Sequence, residues 1–271
     1  MSQSNGLISF LRHYGPIPAG DNMYDELIQA EIERHEIDPV IHISPAKLEE
    51  VKENFESAEP RNVVLTGTAG DGKTFHCRQI WIAFGGDPGH WNAGEKVVSL
   101  TLPVSRKTLI IVKDLSELTQ DEKTNVLSGL AGAVTDASAE NVYLVAANDG
   151  QLLASWRDWS DNQGEQEHRI FKTVEDMLVE ERIEDESLNL YLFNLSRLDA
   201  SNHFHEIIEQ IVEHPQWSNC EGCDLLGDDG STTCPIRLNR ERIRKSGDGA
   251  VFRKRLGELM TLARANRMHV P

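Results

Sequence analysis

The sequence predicts an α/β fold, a sandwich of helices packed on a mostly parallel sheet. Two observations carry this expectation. Short runs of β-branched and aliphatic residues alternate along the chain with longer segments of helical spacing. The first complete run, Asn62 to Thr66, passes into a glycine-rich turn that opens directly into a helical segment. That strand–turn–helix order is the beginning of a βαβ unit.

Composition fits such a fold. The chain has 271 residues, 39% hydrophobic and 26% charged, enough for one large core and an appendage. No apolar run is long enough to span a bilayer. Residues 1–6 lack the basic-then-apolar order of a signal peptide. A cytoplasmic protein without membrane contact is therefore expected. The net charge of −17 argues against broad attraction to nucleic acid. The charge is uneven, however: residues 237–271 hold ten Lys/Arg against three Asp/Glu.

Residues 1–43 are expected to form an N-terminal arm, with a turn-rich stretch at 14–20 and a helix over 23–35. Residues 44–213 form the predicted core. Ser44 and Pro45 suit the N-cap and first position of a helix running to Glu56. Strands are expected at 62–66, 95–103, 108–113, 141–147 and 188–195. Helices are expected at 73–84, 121–134, 168–183 and 201–213. Residues 85–94 read as loop, and Trp156 and Trp159 fall in a polar loop. Residues 214–271 read as an irregular Cys-rich insert followed by a basic lid helix over 252–267. The ending at His269-Val270-Pro271 suggests a piece of a longer protein.

The chemistry concentrates in Gly67-Thr68-Ala69-Gly70-Asp71-Gly72-Lys73-Thr74, a full match to G-x-x-x-x-G-K-[ST]. Glycines let the backbone turn so tightly that its N–H groups face inward onto phosphate oxygens. The helix that follows adds its positive N-terminal end. Lys73 supplies a cation for the β- and γ-phosphates, and Thr74 offers a hydroxyl to Mg²⁺. The predicted fold is thus a P-loop NTPase sandwich, with ATP and Mg²⁺ as ligands.

Two later strands end in polar residues. The strand at 108–113 delivers Asp114, suited to the Mg²⁺ side of the site, and Glu117 follows as a candidate base for an attacking water. The strand at 141–147 delivers Asn148, suited to sensing the γ-phosphate. A competing register makes Asp149 the Mg²⁺-side carboxylate and moves the sensor to Asn194.

This order of phosphate loop, Asp114 with Glu117 nearby, and Asn148 resembles the AAA+ and STAND branches of P-loop ATPases, over residues 40–213. The resemblance implies ATP hydrolysis, a C-terminal helical lid, protein partners or homo-oligomeric assembly, and an arginine finger, for which Arg182 fits best and Arg197 second. Asp-Leu-Ser-Glu departs from the adjacent Asp-Glu of many members, which leaves a non-hydrolysing switch as the alternative. Tyr14-Gly-Pro-Ile17, the Gly-Asp-Gly-Lys-Thr of the loop and Cys-x-x-Cys followed by Cys-Pro resemble bacterial anti-phage defence ATPases of DNA-phosphorothioation-dependent restriction systems. That likeness implies a role in a DNA-targeting complex. Tyr14 and Ile17 are candidates to line an adenine pocket.

Cys220-x2-Cys223-x10-Cys234 has the spacing of a zinc knuckle with one ligand short. His214 is the candidate fourth ligand of a structural Zn²⁺, which would supply folding energy to a core-poor segment.

Overall fold

The computed structural model describes residues 5–14, 25–42, 45–91, 94–161, 163–197, 201–220, 225, 232–244 and 248–265. Helices α1 (Gly6–Leu11) and α2 (Asp25–Arg34) come first. Helix α3 (Leu48–Glu56) precedes β1 (Asn62–Thr66), α4 (Lys73–Ala83) and the short α5 (Pro88–Trp91). Then come β2 (Val97–Thr101), β3 (Thr108–Val112), α6 (Gln120–Thr135), β4 (Asn141–Ala146), α7 (Asp149–Ser160), α8 (Glu165–Val179), β5 (Glu184–Asp185) and β6 (Leu188–Asn194). Helices α9 (Ser201–Val212), α10 (Pro235–Ile243) and α11 (Asp248–Ala265) follow.

The chain forms two compact units. One is Pro45–Leu198; the other joins Met1–Ser44 to Asp199–Val270. This division differs from the expected one. The core stops at Leu198 rather than at 213, so α9 belongs to the second unit. The N-terminal segment is not a separate arm but half of that unit.

The first unit is α/β, with a mixed sheet of six strands in the order β2-β3-β4-β1-β6-β5. The four inner strands run parallel, and the edge strands β2 and β5 are antiparallel to their neighbours. All five residues of β1 are buried, as expected of a strand covered on both faces. The period of two sorts its neighbours between two cores. Val63, Leu65, Leu109, Ile111, Val142, Leu144 and Phe193 pack with Ile80, Trp81 and Phe55 of α4 and α3. Val64, Val112, Val145, Leu190 and Leu192 pack against Leu127, Trp156 and Phe171 of α6, α7 and α8.

Asn62 fixes the N-terminal end of β1. Its buried amide donates to the carbonyls of Ala133 (3.0 Å) and Asn189 (2.9 Å) and accepts from the Tyr143 N–H (2.9 Å). One side chain thereby ties α6, β4 and β6 to β1, with every bond satisfied as burial requires.

Several elements depart from expectation. Helix α5 lies in the stretch 85–94 read as loop, and no strand is expected at β5. Helix α3 begins at Leu48, behind a left-handed Lys47 (φ 71°), and not at Ser44-Pro45; Ser44 lies outside the described residues. Trp156 and Trp159 lie on α7 and not in a loop. Both are buried, and the Trp159 indole N–H donates to the Ser128 hydroxyl (2.9 Å). The expected irregular segment contains α10, with Pro235 at its start.

In the second unit Leu7, Phe10, Ile37 and Trp217 form a core that draws on both ends of the chain. The Asn5 amide donates to the Gln216 carbonyl (2.8 Å), and the Gln216 amide donates to the Glu36 carbonyl (2.6 Å). Much of the basic segment serves this unit. Arg253 is buried against Glu209 (2.5 Å) and the His205 carbonyl. Arg244 grips Glu213 with two bonds of 3.0 Å. Arg240 donates to the Val212 carbonyl (2.7 Å) and lies over the Trp217 ring. Among the described residues, no helix is long and apolar enough to cross a membrane.

Candidate functional site

Strand β1 ends at Thr66, and the glycine loop begins at once. Gly67, at φ 141°, occupies backbone space closed to other residues. A Cβ there would stand 2.5 Å from an Asp71 carboxylate oxygen and 3.2 Å from the Ser196 nitrogen. Gly72, at φ 78°, turns the chain into α4 as its N-cap. Thr68, Ala69 and Gly70 are exposed at the tip, and Thr74 is half-buried in the first turn of α4.

The loop is closed upon itself. Lys73 is buried, and its ammonium donates to the carbonyls of Thr68 (2.6 Å) and Gly67 (3.5 Å). The Asp71 carboxylate accepts from the Thr68 N–H (2.5 Å) and hydroxyl (3.1 Å). Burial pushes the Lys73 pKa down, while Asp71, Asp114 and Asp149 oppose that shift by charge. Three carboxylates from three separate elements therefore act on one buried ammonium.

Two of the three are held by their own turns and strands. Asp114 leaves β3 and accepts from the Ser116 N–H (2.8 Å), capping the one-turn 3₁₀ helix Leu115–Glu117. Asp149 begins α7. One of its oxygens accepts from the Thr66 hydroxyl and the other from the Asn194 amide (3.1 Å). Asn194 in turn accepts from the Ser196 hydroxyl (2.6 Å) and N–H (3.1 Å). Asp149 thus laces together the ends of β4, β1 and β6. Its neighbour Asn148 is the N-cap of α7, and its amide oxygen is buried without a hydrogen-bond partner.

Other predicted residues stand apart from this group. Glu117 is exposed, at the end of the 3₁₀ turn that Asp114 caps. Arg182 is held within its own chain by Asp185 (2.6 Å) and Glu180 (2.8 Å), bonds that raise its pKa. Arg197 pairs with Glu181 (3.4 Å). Lys47, Arg182, Arg197, Phe193 and Asn194 line an open cleft beside the end of β6.

Sequence reasoning missed two residues here. His76, one turn into α4, joins the Gly72 carbonyl (2.8 Å) to the Ala46 carbonyl (2.9 Å), clasping the segment before α3 to the loop helix. Nothing in its sequence setting marks this. Cys77 is fully buried, and burial first, then Asp114, pushes its thiol up to about 12. It remains protonated and packs as a small apolar residue.

The zinc candidates are placed as follows. His214 is buried with both ring nitrogens engaged: Nε2 meets the Pro39 carbonyl (2.9 Å) and Nδ1 accepts from the Gln216 N–H (3.2 Å). In this arrangement it has no nitrogen to give a metal. The Cys220 thiol accepts from the Asn5 amide (3.3 Å), and Cys234 caps α10. Cys223 and Ile17 lie outside the described residues, and Tyr14 closes the 3₁₀ turn Arg12–Tyr14. Among the described residues, the set of three whose ligand atoms converge is His13, Glu31 and His35.

Compared with known proteins, the chain matches no family model, no curated protein and no solved structure.

Proposed function

We propose that the chain is a P-loop nucleotide-binding protein that hydrolyses ATP. The observation that carries this reading is the glycine loop at the end of β1, where the buried Lys73 meets the charges of Asp71, Asp114 and Asp149. In open parallel sheets, ligands bind beyond the carboxyl ends of strands, at the point where successive connections diverge. Strand β1 stands at such a point, between β4 and β6.

In this reading the loop amides and Lys73 grip the phosphates. For that, Lys73 leaves the carbonyls of Thr68 and Gly67, and Asp71 yields the Thr68 N–H. Thr74 and Asp114 are the residues that would hold Mg²⁺, whose charge neutralises phosphate oxygens. The donor set fits, being hydroxyl and carboxylate oxygens, and the unpartnered oxygen of Asn148 marks a polar position awaiting a partner. Asn148 orients the attacking water, and Glu117 is the candidate base. Arg182 is the candidate finger, acting on a neighbouring copy once released from its own carboxylates. By its resemblance to defence ATPases, the activity would drive assembly in a bacterial DNA-targeting complex.

A second reading has its own support. Glu117, exposed and three residues beyond Asp114, favours a switch that binds ATP and recruits a partner without turnover.

Steady-state phosphate release from Mg²⁺-ATP, with and without duplex DNA, tests both. For an ATPase, Lys73→Ala lowers release by about a hundredfold or more. Stimulation by DNA ties turnover to nucleic-acid work. ATP binding without release selects the switch, and failure to bind any nucleoside triphosphate overturns both readings.

A further inference from the structure

The strongest unassigned feature lies in the second unit. His13 sits on the 3₁₀ turn that ends α1, and Glu31 and His35 sit at the end of α2. Four residues apart on a helical turn, Glu31 and His35 share one face. The Nε2 atoms of both histidines lie 3.2 Å from the same oxygen, Glu31 Oε2, and all three ligand atoms lie within 4.8 Å of one another.

From these positions we infer that His13, Glu31 and His35 bind a divalent transition-metal ion of the zinc type. Metal–ligand bonds of about 2.0–2.2 Å place neighbouring ligands of a tetrahedron about 3.4 Å apart, close to the 3.2 Å separations found here. Two imidazoles and one carboxylate are a usual donor set for such ions, and three protein ligands leave a position for water or a further group.

A plain ion pair accounts less well for the arrangement. Glu31 Oε2 is buried and receives no well-directed hydrogen bond, although two ring nitrogens crowd it. A buried carboxylate oxygen without a donor is costly, and a cation among the three atoms removes that cost. The second oxygen, Oε1, accepts from Arg34 (3.3 Å), which orients the carboxylate as outer partners do around metal ligands. The side chains are 33%, 23% and 19% exposed, in the order His13, Glu31 and His35, so the ion has a path from solvent. Bound there, it pins the end of α1 to α2. The set holds no thiolate, which separates it from any site built on Cys220, Cys223 and Cys234.

The test is a Co²⁺ titration of the full chain after chelator treatment, followed by visible and near-ultraviolet absorption. The expected result is a set of d–d bands without thiolate-to-cobalt charge transfer. Glu31→Gln and His13→Gln, each checked by circular dichroism without metal, then weaken binding at least tenfold, the lower range of loss seen when even outer partners of a metal are removed. His13 is the most exposed of the three, so its variant stands in if Glu31→Gln fails to fold. Wild-type protein that shows no such bands, or only bands with thiolate charge transfer, overturns the site. So does undiminished affinity in a folded variant.

Discussion

At the scale of single residues, the glycine loop holds one of its own amides closed. Asp71 accepts from the Thr68 N–H and brings a negative charge to the loop. If the loop binds nucleotide as proposed, Asp71→Ala frees that amide and removes that charge. ATP affinity then rises about three- to tenfold, near the net worth of one hydrogen bond of about 1 kcal/mol. Equilibrium titration reads it, and a fall in affinity would mean that Asp71 shapes the bound loop instead. The loop residues are legible in the sequence because spacing and residue type alone define them. The parts played by Asp149, Asn62 and His76 are not. Each acts through partners far along the chain: Thr66 and Asn194 for Asp149, Ala133 and Asn189 for Asn62, Ala46 for His76. The competing register names Asp149 and Asn194 together, and the structure joins them by a hydrogen bond. His13 and the Glu31–His35 pair are illegible for the same reason, since only folding brings them together.

At the scale of elements, local chemistry decides what can be read. The helix after Asp114 is announced by a capping box. Thr119 accepts from the Glu122 N–H (3.4 Å), and the Glu122 carboxylate accepts from the Thr119 N–H (2.7 Å). Thr119→Ala should cost about 1 kcal/mol, seen as a lower midpoint in urea with unchanged slope. No loss would show that α6 is held by packing alone. Five of the six strands were visible because short β-branched runs between turns have few other uses. β5 was not, being two charged residues that pair only because β6 is there. Helix α7 was hidden by a polar, glycine-containing start after Asn148-Asp149. Its tryptophans read as loop residues for that reason, and they fill the core with α6 and α8.

At the scale of the whole molecule, the sequence shows two tails and the structure shows one unit made from both. Composition could not reveal this, because the joining surfaces are a few apolar side chains on short helices. Leu7 is fully buried against Phe10, Ile37 and Trp217. Leu7→Ala should therefore destabilise this unit by about 2–5 kcal/mol. Limited proteolysis is then expected to cut faster within residues 201–265, where nothing has been changed. Unaltered cleavage there would count against a shared core.

The two halves of that unit are also made at different times. A ribosome adds about 5–20 residues per second, so on the order of ten seconds or more separates the emergence of α1 and α2 from that of α9 and Trp217. The α/β unit encoded between them has all its strands by Leu198 and can close first. During that interval Leu7 and Phe10 are without Trp217, and the nascent chain displays greasy side chains to whatever waits at the exit tunnel.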